Sequence, residues 1–149
     1  YCLEDFIVFY TIVSVFARKY KVRLLGMCLM IDHTHLLAAG EELSELSRFV
    51  SAYTSRFVLD FNRYTGRKGP LFKKAYGSAI KIEPKKIRTA INYLFNNAVE
   101  KKLCIRAELY FPMDGVHPFR DSTILHILMV RVFCSSFLHL FQFQQLEGL

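Results

Sequence analysis

Residues 21–31, KVRLLGMCLMI, are apolar almost throughout, and residues 33–39, HTHLLAA, continue that character after a single acid, Asp32. Runs so poor in charge read as strands buried on both faces, because a strand with one wet face alternates polar and apolar residues. Asp32 suits the turn between them, since a short carboxylate bonds readily to nearby backbone. Around this pair the periodicity becomes helical. Over 4–20, Phe6, Phe9, Tyr10, Val13, Phe16 and Ala17 recur at helical spacing, and Arg18 and Lys19 complement a helix C-terminus. From Glu41 to about Tyr64, Leu43, Leu46, Phe49, Val50, Tyr53, Phe57 and Phe61 form one apolar stripe. Gly66 and Gly69-Pro70 end that helix. Residues 71–82 read as another strand. Pro84 then fits the first turn of a helix to about Val99, buried through Ile87, Ile91, Leu94 and Ala98. The order helix, strand, strand, helix, strand, helix predicts an α+β fold, a small antiparallel sheet with helices packed on its faces.

The 149 residues suit one domain with a real core. With 52% of residues apolar and 15% aromatic, disorder is excluded over most of the chain. The net charge of +7 is unevenly spread: residues 1–40 carry +1, 41–110 carry +7 and 111–149 carry −1. Nine basic residues and one acid, Glu83, fall within 63–88, interleaved with Tyr64, Phe72 and Tyr76. A solvated loop can look like this, but the aromatic interleaving favours nucleic-acid contact. Arg67, Lys68, Lys73, Lys74, Lys81, Lys85, Lys86 and Arg88 are the candidate phosphate contacts.

The four cysteines are scattered without a CxxC pair, which argues against zinc knuckles and disulfide frameworks. Glu4 and Asp5 with no basic leader give no sign of a signal peptide, so a cytoplasmic protein is expected. Residues 111–149 are nearly free of charge and crowded with Phe, Leu and His, and are set apart from 1–110 as a divergent apolar tail. Within it, 122–141 approaches the length of a membrane span, but Arg131 lies at its centre, so no membrane association is expected.

His33 and His35 are two apart, so on a strand both point to one face and can reach one ion. Alone, such a pair is more often two ordinary strand histidines. Tyr93 and Asn97 are four apart on the last helix and share a face. If that helix packs beside the histidine strand, a phenol, an amide and two imidazoles share one small volume. That combination fits metal-assisted phosphoryl transfer to tyrosine. A free phenol ionises only near pH ~10, so such a nucleophile needs activation, and no obvious base stands out.

Met30-Ile31-Asp32-His33-Thr34-His35-Leu36-Leu37 resembles the Met-Pro-Asn-His-hydrophobic-His-Leu-Leu signature of the one-tyrosine HUH transposases. That family includes insertion-sequence transposases acting on single strands and REP-associated tyrosine transposases. Tyr53-Thr54 to Phe61-Asn62-Arg63 is similar to their Tyr-Thr...Phe-Asn-Arg helix. Gly69-Pro70-Leu71-Phe72 through Ala75-Tyr76-Gly77-Ser78 is similar to their Gly-x-Leu-Phe...Arg-Tyr-Lys-Ser stretch. Tyr93 to Val99 resembles their Tyr-Ile-x-x-Asn-Pro-Val. These motifs follow in the family's order over about 30–104, and as a set they are specific.

The resemblance implies a ferredoxin- or RRM-like HUH endonuclease fold. It implies Tyr93 as nucleophile, His33 and His35 as ligands of a divalent metal, Mg2+ or Mn2+, and Asn97 at the position of a third ligand. It implies cleavage and rejoining of single-stranded or hairpin DNA through a 5′-phosphotyrosine. Insertion-sequence relatives are dimers whose sites can mix two chains, so a homodimer is one expectation and a monomer the other. Thr34, Ile31, Asp32 and Ala98 depart from the motifs. The family places a strand before the first helix and this chain starts at that helix, which leaves open a fold short of its first strand. The likeness stops near Tyr110, so 111–149 is either a native tail or an out-of-frame extension. Two competing readings remain: a decayed or domesticated relative that binds DNA hairpins without cutting, and a plain nucleic-acid-binding module with accidental histidines.

Overall fold

The computed structural model describes residues 3–30, 32–72, 76–110, 113–114 and 126–133. In chain order the elements are α1 (Leu3–Lys19), β1 (Arg23–Leu29), β2 (His33–Gly40), α2 (Leu43–Thr65), β3 (Gly77–Ile80), α3 (Pro84–Glu100), β4 (Met113–Asp114) and β5 (His126–Phe133). The strands form one five-stranded sheet in the order β3-β5-β2-β1-β4, with every pairing antiparallel. The α+β architecture with helices on both faces is the expected one.

The first helix carries Glu4 and Asp5 in its first turn and Arg18 and Lys19 in its last, matching the backbone dipole at both ends. The second ends at Gly66, whose φ of 67° is the left-handed conformation glycine adopts without strain. The third opens on Pro84, which gives up only an amide that no helical carbonyl would accept.

The buried strands split their side chains between two layers. Met27, Leu29, Leu36 and Ala38 pack with Phe9, Val13, Phe49, Tyr53, Phe57 and Phe61 of α1 and α2. On the other face Leu25, Leu37 and Ala39 meet Ala90 of α3, and Cys28 and Met30 meet Leu94 and Ala98. Strict alternation would put Leu25 and Cys28 on opposite faces. An irregularity in the β1–β2 register between Leu24 and Gly26 shifts the alternation, and both face α3.

Among the described residues the first element is α1, and β5 lies between β2 and β3 in the sheet. That strand pairs with β2 from His33 opposite Phe133 to Gly40 opposite His126. Both β4 and β5 come from the 111–149 segment. The rest of that segment lies outside the described residues. The strand read over 71–82 is shorter, Gly77–Ile80. Among the described residues no helix is long and apolar enough to cross a membrane.

Candidate active site

Alternation along β2 sends Thr34 toward α1 and α2, where it lines a small recess with Phe6, Phe9 and Phe57. His33 and His35 therefore point to the α3 side. Both are buried, at 3% and 2% exposure. Their Nε2 atoms lie 3.0 Å apart, with the rings perpendicular. The other nitrogen of His33, Nδ1, lies against the Asp32 carboxylate at 2.5 Å. Asp32 is thus more than a turn residue. A carboxylate directly preceding a candidate ligand was the available signal, which the turn reading left unused.

On α3, Tyr93 stands at the rim of the site, 39% exposed. Its hydroxyl is 3.5 Å from His35 Nε2, and its ring meets the imidazole edge-on at 5.0 Å. At 3.5 Å the pair is at the outer limit of hydrogen bonding, close enough for both groups to touch one substrate atom. Asn97, one turn further along α3, is deeper, at 2% exposure. Among the described residues its Nδ2 has no hydrogen-bond partner. A buried amide left in that state costs free energy unless a further group completes it. Amide oxygen and nitrogen are assigned from the hydrogen-bond network, so either end can be the one awaiting a partner.

These residues fit a metal ion. Zinc–imidazole bonds are roughly 2.1 Å, so two ring nitrogens 3.0 Å apart can reach one ion at nearly a right angle. Among the described residues no group of three or more His, Cys, Asp or Glu is gathered to hold a metal. A two-histidine site would therefore complete its ligand shell with water, substrate oxygens or a further side chain, for which the buried Asn97 amide on α3 is the candidate.

Beside Tyr93 and His35 opens a cleft of about 730 Å³ between β3 and α3. Lys81, Lys85 and Lys86 line it, with Glu83 as the single acid on its wall among the described residues. Glu83 binds Lys86 at 2.6 Å, an exposed pair. Lys81 and Lys85 remain to meet an anion. Ser78, which ends the third motif, is also on this wall, as are Thr89 and Ala90, which sequence reasoning did not single out. The other expected phosphate contacts lie elsewhere. Arg88 is exposed on α3 but does not line the cleft. Arg67 and Lys68 sit in the exposed loop after α2, which Asn62 Nδ2 ties down by donating to the Gly69 carbonyl at 2.8 Å. Lys73 and Lys74 lie outside the described residues. Of the aromatic residues among the charges, Tyr64 is exposed, whereas Phe72 and Tyr76 pack against the α1–α2 core.

Behind the site, Tyr110 donates its hydroxyl to the Leu29 carbonyl at 2.6 Å, bracing the end of β1. Burial, with lesser effects from Cys28 and Cys104, raises the Tyr110 phenol above its ordinary range. Cys28, opposite His35 in the β1–β2 ladder, is pushed up to about 12 by burial and secondarily by Cys104, so its thiol stays neutral.

A family model described as IS200-like transposase matches residues 5–97. That span contains the two histidines, Asp32, Tyr93, Asn97 and the lysines of the cleft. No curated protein and no solved structure matches the chain.

Proposed function

The chain belongs to the IS200-like transposase family, and from that premise we propose that it cuts and rejoins single-stranded hairpin DNA with Tyr93 as the nucleophile. One observation carries this reading. The Tyr93 hydroxyl lies 3.5 Å from His35 Nε2 of the same chain, at the mouth of a lysine-lined cleft.

In the proposed reaction the Tyr93 oxygen attacks a backbone phosphorus. The bond to the 3′ oxygen breaks, and a phosphotyrosine forms on the 5′ end. The phenolic proton is lost on attack, and the departing 3′ oxygen gains one. The phosphate diester is conserved, so a second 3′-hydroxyl can reverse the step without a nucleotide cofactor. Lys81 and Lys85 would hold flanking phosphates, because ammonium groups on a cleft wall bind the DNA backbone regardless of sequence. His33 and His35, with Asn97 as third ligand, would hold a divalent cation whose role is to polarise the non-bridging oxygens of the scissile phosphate. The nitrogen donors suit Mn2+ better than Mg2+, which prefers oxygen. The approach of the Tyr93 phenol to His35 within one chain supports a cut made by a single copy.

The test is incubation with a single-stranded DNA hairpin and Mn2+, followed by denaturing electrophoresis. A covalent protein–DNA band is expected, and it disappears in Tyr93→Phe. Hairpin binding with no adduct in the unmodified protein would replace this reading with that of a non-cutting relative.

A further inference from the structure

We propose that Asp32 is a positioning residue that locks His33 in the tautomer with its proton on Nδ1, turning a bare Nε2 toward His35 and so building a metal site that His33 and His35 alone would leave half-formed.

The argument starts from the turn. Met30 donates its amide to the His33 carbonyl at 2.8 Å, closing the β1–β2 connection tightly. This holds residue 32 beside the first histidine ring. The Asp32 carboxylate is half-exposed, whereas the His33 ring is 4% exposed. An ionised carboxylate oxygen can only accept, so the proton in the contact with His33 Nδ1 comes from the ring. A neutral imidazole carries one ring proton. With it on Nδ1, Nε2 is unprotonated and can only accept.

The histidine pair then sorts itself. The Nε2 atoms at 3.0 Å need one donor and one acceptor. With His33 as acceptor, His35 Nε2–H is the donor in the metal-free protein. On loading, only His35 has to change tautomer. Without Asp32 either ring could hold the proton between them, and both would have to be reset. Carboxylates behind metal-bound imidazoles act in this way, fixing ring orientation and tautomer and raising ligand basicity. An amide at position 32 could still accept the bond through its oxygen, but without the charge.

The inference rests on the metal-site reading of His33 and His35, and its test separates the two. In metal-free, nitrogen-labelled protein, long-range proton–nitrogen NMR correlations should show His33 protonated at Nδ1. Asp32→Ala should shift it toward the Nε2–H form, and Asp32→Asn should hold the original tautomer. Mn2+ titrated by calorimetry should bind Asp32→Ala about 10- to 100-fold more weakly than the unmodified protein, with Asp32→Asn between them. Matching circular dichroism spectra and melting curves check that the variants fold. An unchanged His33 tautomer in Asp32→Ala overturns the proposal. So does a shifted tautomer with equal Mn2+ affinity in all three proteins; both results leave the metal site standing. Unmodified protein that binds no Mn2+ would remove the site and the proposal together.

Discussion

The two faces of the sheet are built from the same strands and packed in opposite ways. On the α1–α2 face, large rings fill the space: Phe9 meets Phe57 at 4.9 Å and Tyr53 at 5.8 Å, both nearly perpendicular. Edge-on aromatic contacts add to area burial and leave little room for adjustment. On the α3 face the contacts are smaller, through Ala90, Leu94 and Ala98, and among the described residues one helix does the covering. It packs over β1 and β2 and leaves all four residues of β3 exposed. That uncovered width is the cleft. The difference places rigidity and access on opposite sides of one strand, β2: Leu36 and Ala38 anchor it in the sealed layer while His33 and His35 look into the open one.

If this division holds, substitutions on the open side should cost chemistry and those on the sealed side should cost stability. The largest effect is expected at Tyr93. Tyr93→Phe should abolish the DNA adduct while changing unfolding free energy by no more than about 0.5 kcal/mol, as for most surface changes. A large loss of stability on urea denaturation would break the comparison. Phe49→Ala, on the sealed face at 0% exposure, should cost about 3–5 kcal/mol and lower the melting temperature by many degrees.

A smaller effect sits inside the sealed face itself. The Tyr53 hydroxyl is buried and, among the described residues, has no hydrogen-bond partner. Burial, with a lesser effect from Tyr76, raises its phenol above the ordinary range. Tyr53→Phe should therefore be neutral or stabilising by about 1 kcal/mol at pH 7, since it removes a desolvated polar group. The pH dependence has a definite sign. Cys28, Tyr53 and Tyr110 all ionise at higher pH in the folded chain than in the unfolded one. The unfolded state loses those protons first, near pH ~8.5 for cysteine and ~10 for tyrosine. Stability present below those values is lost as pH rises through them toward the folded values. Urea midpoints should fall between pH 8 and pH 11, and less steeply in Tyr53→Phe.

The smallest expected change is on the cleft wall. Lys81→Ala and Lys85→Ala should each weaken single-strand binding modestly and reduce the salt slope of log affinity by about 0.7. Arg88→Ala, on the same helix but off the wall, should reduce it less. Equal slopes for the three would mean that DNA does not follow the cleft.

Much of this was legible in the linear order of residues. The helical stripes of α1 and α2, the proline opening α3 and the two charge-poor strands follow from local periodicity, and the structure has them within a few residues. The shared face of His33 and His35 follows from the two-residue repeat of a strand. Other features were not legible. The depth of Asn97 against the exposure of Tyr93, one turn away, depends on how α3 lies on the sheet. The facing of Leu25 depends on a register shift that no apolar pattern marks. The seat of β5 between β2 and β3 depends on pairings between residues far apart in the chain.

The histidine pair itself shows the boundary between the two. Sequence alone determined that two imidazoles share one side of a strand, because backbone pleating repeats every two residues whatever surrounds it. Only the tertiary structure brought the Tyr93 phenol to His35 across 58 positions of chain and left β3 bare beside them. Long-range approach of this kind is set by which faces bury together, and periodicity reports that a face is apolar without saying what will cover it.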